Sequence, residues 1–446
     1  MKTIIIFGAG RSANSLIQYL EKNAFVYDWE IKVVDKNADL FAHKTSERMT
    51  GVTLDIFDAE QRGKLVKDAD LVISMLPARF HHLVVEDCLK YEKSLFTASY
   101  ESKKAHEYAN EVKDKGLLFL NEMGLDPGLD HMSAMKIINE IRGKGHKLTG
   151  FESFTGGLVA PESDNNPWGY KFSWNPRNVV VAGQDGPARF IQRGKYKYIP
   201  YNRLFRRTEK IEIDGYGRFE GYANRDSLKY IDRYGLEGIE TIYRGTLRRP
   251  GFCKAWNIFV QLGATDDSYI MEDTENMTHA DFINSFLYYN ELNTVRLKLY
   301  HYMHLDQDSD ILEKLEWLGI FDDTPVGLTN ATPAQILQHI LMKKWKLEPN
   351  DKDMIAMWHR FDYLDAESGE PEIATASLVV EGDDSEYTAM AKTVGLPLAI
   401  AAKLYLTGQL DMRGVLIPTI PEIYEPILNE LEENGIEFKE KILTEK

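Results

Sequence analysis

Cysteine is nearly missing from this chain: Cys88 and Cys253 are the only two among 446 residues. Two distant thiols supply neither a disulfide scaffold nor a thiolate metal cluster, and such sparse use suits a reducing compartment. Positive charge is also in deficit, with 53 Lys and Arg against 69 Asp and Glu and a formal net charge of −16. That acidic balance repels phosphate backbones and anionic lipids, so neither nucleic acid nor a membrane surface is an expected partner. No run of about 20 apolar residues stands out as a bilayer span. The opening MKTIIIFGAG breaks at Gly8, too soon for a secretory leader. The expectation is a soluble, cytoplasmic protein. An HExxH motif, a P-loop lysine, a GxSxG elbow and a zinc-ligand cluster are all lacking, and the eleven histidines are scattered, so no catalytic metal is expected. What the chain does have is 43% hydrophobic and 11% aromatic residues, enough to fold two or three domains.

Thr3 to Phe7 is a short β-branched and aromatic run ending in Gly8-Ala9-Gly10. It reads as a buried parallel strand entering a tight turn, and Ser12 to Leu20 as the helix that follows. Gly8-x-Gly10-x-x-Ala13, with Arg11 and Ser12 between, is a dinucleotide-binding pattern: glycines let the backbone approach a pyrophosphate, and the helix start offers free amides. A second strand over Glu30–Val34 ends at Asp35-Lys36. A carboxylate there accepts both adenosine ribose hydroxyls and repels a 2′-phosphate, which predicts NAD, with NADP open because of Lys36. The alternative for Asp35 is a cap on the following loop. Further strands follow at Val52–Leu54, Leu71–Ser74, Ser94–Thr97 and Leu117–Leu120, separated by helices such as Ala59–Lys67 and His82–Lys90. Leu76 and Pro77 follow the fourth strand, where ligands of doubly wound sheets lie.

The segment Asn121-Glu122-Met123-Gly124-Leu125-Asp126-Pro127-Gly128 puts Asp126 on a stiff loop at the carboxyl side of that sheet. Asp126, with Tyr100 from the end of the preceding strand, is the candidate for proton handling during hydride transfer; the competing reading of Asp126 is a turn residue. Next come Thr155-Gly156-Gly157 and a run holding Trp168, Tyr170, Lys171, Phe172, Trp174 and Arg177. The aromatics serve either a site or a packing core. Lys171 and Arg177, with Arg225, Arg244, Arg248 and Arg249, are candidate carboxylate binders in an otherwise acidic chain, or ordinary ion-pair partners. Alternating segments at 149–154, 209–220, 241–247 and 373–380 point to a second, mixed sheet. Much of 281–345 reads as helical, and the apolar helix Ala391–Leu406 is expected to return to the first domain.

Glu122 through Met132, Gly156-Gly157-Leu158 through Trp174, Asn224-Arg225-Asp226-Ser227, Arg244 through Arg248, Tyr387 through Gly395 and Arg413 through Leu416 together resemble the glutamate-forming saccharopine dehydrogenase family, over essentially the whole chain. The resemblance implies an α/β fold with a Rossmann domain at 1–128. A mixed α+β substrate and dimerisation domain with a helical subdomain would span 129–390, and a returning segment 391–446. It implies reversible, NAD(P)-dependent oxidation of saccharopine through an imine to glutamate and 2-aminoadipate 6-semialdehyde, a small amino-acid substrate and a possible homodimer. It supports Tyr100, Asp126 and Arg225 as site residues, with Lys171, Arg244, Gly157 and Thr155 around the substrate. Two departures stand out. Thr155 occupies a position where the family commonly has Cys, and Asp35-Lys36 replaces the Arg of NADP-using relatives, which favours NAD. The remaining alternatives are a dehydrogenase for another amino-acid or carboxylated polyamine conjugate, and a dinucleotide sensor without chemistry.

Overall fold

The structure, a computed structural model, describes residues 1–41, 45–306 and 309–444. The chain forms two units, one of residues 1–148, 363–372 and 378–446, the other of 149–362 and 373–377.

The first unit is built on β1 (Lys2–Phe7), β2 (Trp29–Asp35), β3 (Met49–Thr53), β4 (Leu71–Ser74), β5 (Leu95–Thr97) and β6 (Leu118–Leu120). A seventh strand, Gly414–Leu416, joins them, and all pair in parallel in the order 414–416, β6, β5, β4, β1, β2, β3. Ile4, Ile5 and Ile6 are fully buried, as are Leu71, Val72 and Ile73. Both faces of each central strand are covered, and so these segments read as unbroken apolar runs. The order reverses between β1 and β4, and the carboxyl ends of these strands carry the binding crevice of doubly wound sheets.

The C-terminal segment completes this unit. The helix Ala389–Leu406 lies along the helix Asn14–Ala24. A Cβ added to Gly395 would stand 2.7 Å from the Leu16 nitrogen, so glycine permits this close backbone approach. This helix is long and apolar enough to cross a bilayer, which corrects the expectation that no such stretch exists; most of it is buried in the unit. The helix Pro421–Glu433 packs on Leu129–Gly143, where Asn139 Nδ2 donates to Tyr424 Oη at 2.9 Å. That packing carries the first unit past the expected boundary at 128 to Leu148. Residues 378–390, expected in the middle domain, also belong to it.

The second unit contains β8 (Ala188–Gln192), β9 (Lys195–Ile199), β10 (Glu209–Ile213), β11 (Gly217–Ala223) and β12 (Thr241–Arg248), nearly all of β7 (Lys147–Val159) and β13 (Asp353–Leu364), and residues 373–377 of β14 (Pro371–Glu381). The sheet runs β10-β11-β12-β7-β13-β14, with the β8–β9 hairpin attached to β12. β7 and β12 are parallel, whereas β11 is antiparallel to both β10 and β12. The helices Phe252–Leu262, Val295–Met303, Asp310–Trp317 and Pro333–Lys344 form the helical part. Trp168, Tyr170 and Phe172 are buried. They surround Trp345 with ring centroids 5.2, 5.0 and 5.3 Å away, beside Phe252 and Trp256. These aromatics are a packing core.

Candidate active site

At the carboxyl end of β1, Gly8 takes φ +103°, and an added Cβ would lie 2.9 Å from the carbonyl of Met75. Only glycine fits that conformation and that gap. The Gly8 amide donates to Val34 O at 2.8 Å, and the Met75 amide to Phe7 O at 2.8 Å, which lays the loop against the ends of β2 and β4. A Cβ on Gly10 would meet nothing within 4 Å, so the loop is open where a pyrophosphate would approach. Arg11–Ala13 form a 3-10 turn closed by Ala13 N–H to Gly10 O at 2.9 Å. The regular helix therefore starts at Asn14, two residues later than the sequence pattern suggests. Asp35 is half-buried at the end of β2. Its Oδ2 accepts from the Ala9 amide at 2.9 Å and its Oδ1 from the Asn37 amide at 3.0 Å. The carboxylate thus braces the glycine loop as well as ending the strand; Lys36 beside it is exposed. Leu76 and Pro77 follow β4 on the same edge of the sheet. The cradle fits a dinucleotide: a glycine that nothing else can replace, an open approach at Gly10, and amides at the start of a helix.

The sequence offered no signal for Ser74 and His81, which meet beside this crevice. Ser74 Oγ and His81 Nδ1 lie 2.8 Å apart, both buried. Burial pushes the His81 imidazole down to about 4, so it is neutral at ordinary pH.

Further along the same edge, Tyr100 Oη donates to Asp126 Oδ1 at 3.2 Å. Both side chains are half-buried. The Asp126 loop is closed by Gly124 N–H to Pro127 O at 3.0 Å and Leu129 N–H to Gly124 O at 2.8 Å. Gly128 takes φ +144°, and a Cβ there would collide with Gly124 O at 2.2 Å. The two glycines therefore make a tight backbone knot that carries Asp126 at a fixed place. A phenol hydrogen-bonded to a carboxylate at the mouth of a dinucleotide-binding sheet can accept or return a proton.

In the second unit the cations separate into two groups. Arg244, on β12, is buried with its guanidinium 4.2 Å over the Tyr230 ring. Its backbone O accepts from Asn224 N–H at 2.9 Å and its own N–H donates to Ser227 Oγ at 3.0 Å. The turn holding Arg225, exposed and at φ +49°, is thereby tied to Arg244. Thr155 on β7 lies opposite Thr246, which lies opposite Tyr222 on β11. Thr155 Oγ1 is buried with no hydrogen-bond partner among the described residues, and Gly157 is two residues further along β7.

The second group has structural partners. Lys171 Nζ sits 2.6 Å from Asp351 Oδ2, with the lysine side chain 4% exposed, so its charge is spent inside the fold. Of its two expected roles, substrate carboxylate binder or ion-pair partner, the second is the one this contact supports. Arg177 is paired with Asp267. Arg248 is buried among the rings of Tyr170, Tyr222 and Phe252, and Arg249 donates to Tyr216 O at 3.1 Å.

Residues 4–120 match the saccharopine dehydrogenase NADP binding domain and residues 124–436 the saccharopine dehydrogenase C-terminal domain. The chain is 33% identical to saccharopine dehydrogenase [NADP(+), L-glutamate-forming] of Saccharomyces cerevisiae, covering 99% of each. It is 34% identical to the mitochondrial alpha-aminoadipic semialdehyde synthase of Rattus norvegicus, over 98% of this chain and 47% of that protein. It thus spans about half the length of such relatives. Among solved structures, apo saccharopine dehydrogenase (L-Glu forming) from Saccharomyces cerevisiae superposes with TM-score 0.87 and 32% identity over the whole of both chains. A homospermidine synthase from Legionella pneumophila in complex with NAD gives TM-score 0.55 at 11% identity, a likeness of fold alone. With both domains matched in order and an end-to-end likeness to the yeast enzyme, the chain belongs to the L-glutamate-forming saccharopine dehydrogenase family.

Proposed function

We propose that this protein is an NAD(P)-dependent oxidoreductase that converts saccharopine to glutamate and 2-aminoadipate 6-semialdehyde, in lysine metabolism. The observation that carries this reading is the Tyr100–Asp126 pair, 3.2 Å apart at the carboxyl edge of a sheet whose glycine loop fits a dinucleotide. When bound, the nicotinamide supplies a two-electron hydride acceptor. Gly8, Gly10 and the Arg11–Ala13 turn are the groups that would hold its pyrophosphate, and Asp35 its ribose. Asp126 accepts the proton released at the secondary amine nitrogen as the carbon–nitrogen bond becomes an imine. It then orients the water that adds to the imine carbon, and a proton returns to nitrogen as the carbon–nitrogen bond breaks. Tyr100 holds the carboxylate in one rotamer by its hydrogen bond and passes protons outward. Arg225 and Arg244 offer two-donor forks to the substrate carboxylates. The Thr155 hydroxyl, without a hydrogen-bond partner among the described residues, offers a hydrogen bond to the substrate. Gly157 supplies a backbone without a side chain. Asp35 favours NAD over NADP, because a 2′-phosphate would meet its carboxylate.

The test is absorbance at the reduced-nicotinamide band with saccharopine, with NAD and NADP tried separately and glutamate assayed as product. Stoichiometric glutamate and reduced cofactor are expected, with NAD preferred. Preference for NADP overturns the Asp35 argument alone. No turnover with either cofactor, from protein that binds one of them, overturns the reaction.

A further inference from the structure

Directly behind the Asp126 loop is a fully buried group of three titratable side chains that the proposed chemistry does not use. Glu122, Asp130 and His131 are 2%, 1% and 0% exposed. Glu122 follows β6 with φ +59°, a conformation that a long side chain adopts only when its surroundings hold it there. Glu122 Oε2 lies 2.8 Å from His131 Nε2. With Glu122 ionised this nitrogen is the donor, since a carboxylate only accepts. His131 Nδ1 is 3.6 Å from Asp130 Oδ1.

The two ends of this group both terminate on backbone amides. Glu122 Oε1 accepts from the Glu101 amide at 3.1 Å, the residue after Tyr100. Asp130 Oδ1 accepts from the Gly128 amide at 2.7 Å, two residues after Asp126. The Glu122 amide itself donates to Ser99 O at 2.9 Å, on the other side of Tyr100. The segments bearing Tyr100 and Asp126 come from different strand ends, and this buried row, joined by the Glu122–His131 bond and by the chain from His131 to Asp130, ties both to one place. A shift of either segment would lengthen a hydrogen bond in a setting where water cannot replace it.

We propose that Glu122 and His131 are positioning residues that set the separation of Tyr100 and Asp126, without touching substrate or cofactor. This rests on the reading of Tyr100 and Asp126 as the proton-handling pair. A displacement of about 1 Å between such groups costs about 100-fold in rate. The cofactor cradle, anchored on β1, β2 and β4, does not depend on the row.

The experiment compares His131→Leu, which deletes the bond, with His131→Gln, which keeps a donor toward Glu122. It reads kcat and KM for saccharopine, cofactor affinity by reduced-nicotinamide fluorescence, and Tm. The expected result is a kcat about 100-fold lower in His131→Leu and about 10-fold lower in His131→Gln, with KM and cofactor affinity within about threefold of wild type. Wild-type kcat in folded His131→Leu overturns the proposal, as does a loss of kcat matched by an equal loss of cofactor binding. Should His131→Leu fail to fold, hydrogen exchange decides with the wild-type protein and Glu122→Gln. Peptides containing Glu101 and Gly128 are expected to be protected together and to lose protection together in Glu122→Gln. Independent exchange of the two overturns the proposal. If the wild-type protein turns over no saccharopine, the functional reading falls, while the exchange data still report whether the row couples the two segments.

Discussion

Replacing Lys171 with Met keeps most of the side-chain length and deletes the charge, which separates a structural from a substrate-binding role. Its Nζ is 2.6 Å from Asp351 Oδ2, with the two side chains 4% and 13% exposed. At that distance the attraction is about 1.6 kcal/mol in bulk water and about 6 kcal/mol at an effective dielectric constant of 20. Desolvation of both ions offsets most of it. Removing one partner is a different matter. Asp351 would keep its carboxylate inside the fold with the Glu348 amide, 2.7 Å away, as its remaining hydrogen-bond donor among the described residues. Orphaned buried charges cost about 3–5 kcal/mol, and the partial exposure of Asp351 sets the expected loss near the lower end, about 3 kcal/mol. In a unit of this size that lowers Tm by about 6–12 °C. Differential scanning calorimetry with steady-state kinetics is the assay. Lys171→Met should melt early yet keep KM for saccharopine within about twofold, and adding Asp351→Asn should recover part of the lost stability. A KM raised tenfold or more at unchanged Tm would refute the reasoning and restore Lys171 to the substrate.

Gly8→Ala forces a Cβ to 2.9 Å from the Met75 carbonyl at φ +103°, so cofactor affinity should fall at least about tenfold, read by reduced-nicotinamide fluorescence. Asp126→Asn and Tyr100→Phe should each lower kcat by about 100-fold or more with cofactor binding intact; near-normal kcat in both would remove them from the chemistry. Asp35→Ser should raise the ratio of NADP to NAD usage, measured as kcat/KM for each cofactor. Glu152, on β7, has its carboxyl pushed up to about 7, mainly by burial. Its folded-state pKa is raised, so the penalty is absent below the ordinary carboxyl range, grows as pH rises to about 7, and is constant above it. It amounts to no more than about 3 kcal/mol. Glu152→Gln should therefore be more stable than wild type above pH 7 and equal to it near pH 4, in denaturant titrations at several pH values.

The parallel sheet was legible because its strands are buried on both faces and read as continuous apolar runs; Leu71–Ser74 and the helix Ala59–Lys67 match the sequence reading residue for residue. The hairpin Ala188–Ile199 was not, since its second strand alternates lysine with exposed tyrosine and carries no apolar signature. The stretch 209–220 read as one strand but turns between Ile213 and Gly217. At the candidate site, the approach of Tyr100 to Asp126 was legible through loop chemistry and strand-end position. Which cations are committed elsewhere was not, because Lys171 and Asp351 are 180 positions apart and only the tertiary fold brings them together. The Glu122–His131 bond escaped for the opposite reason: the residues are near in sequence, but nothing in the pattern tells a capping or core histidine from one that joins two loops.

The strand Gly414–Leu416, paired to β6, also fixes an order of events during synthesis. Six strands of the nucleotide-binding sheet emerge from the ribosome early, and the β6 edge then stays open until residue 414 arrives. Unpaired edges invite wrong partners, and the Asn14–Ala24 helix waits longer still for the Ala389–Leu406 helix that covers it. A chain halted anywhere in the second unit therefore displays its incompleteness at its beginning, on a raw strand and a bare helix that folding factors and proteases can read.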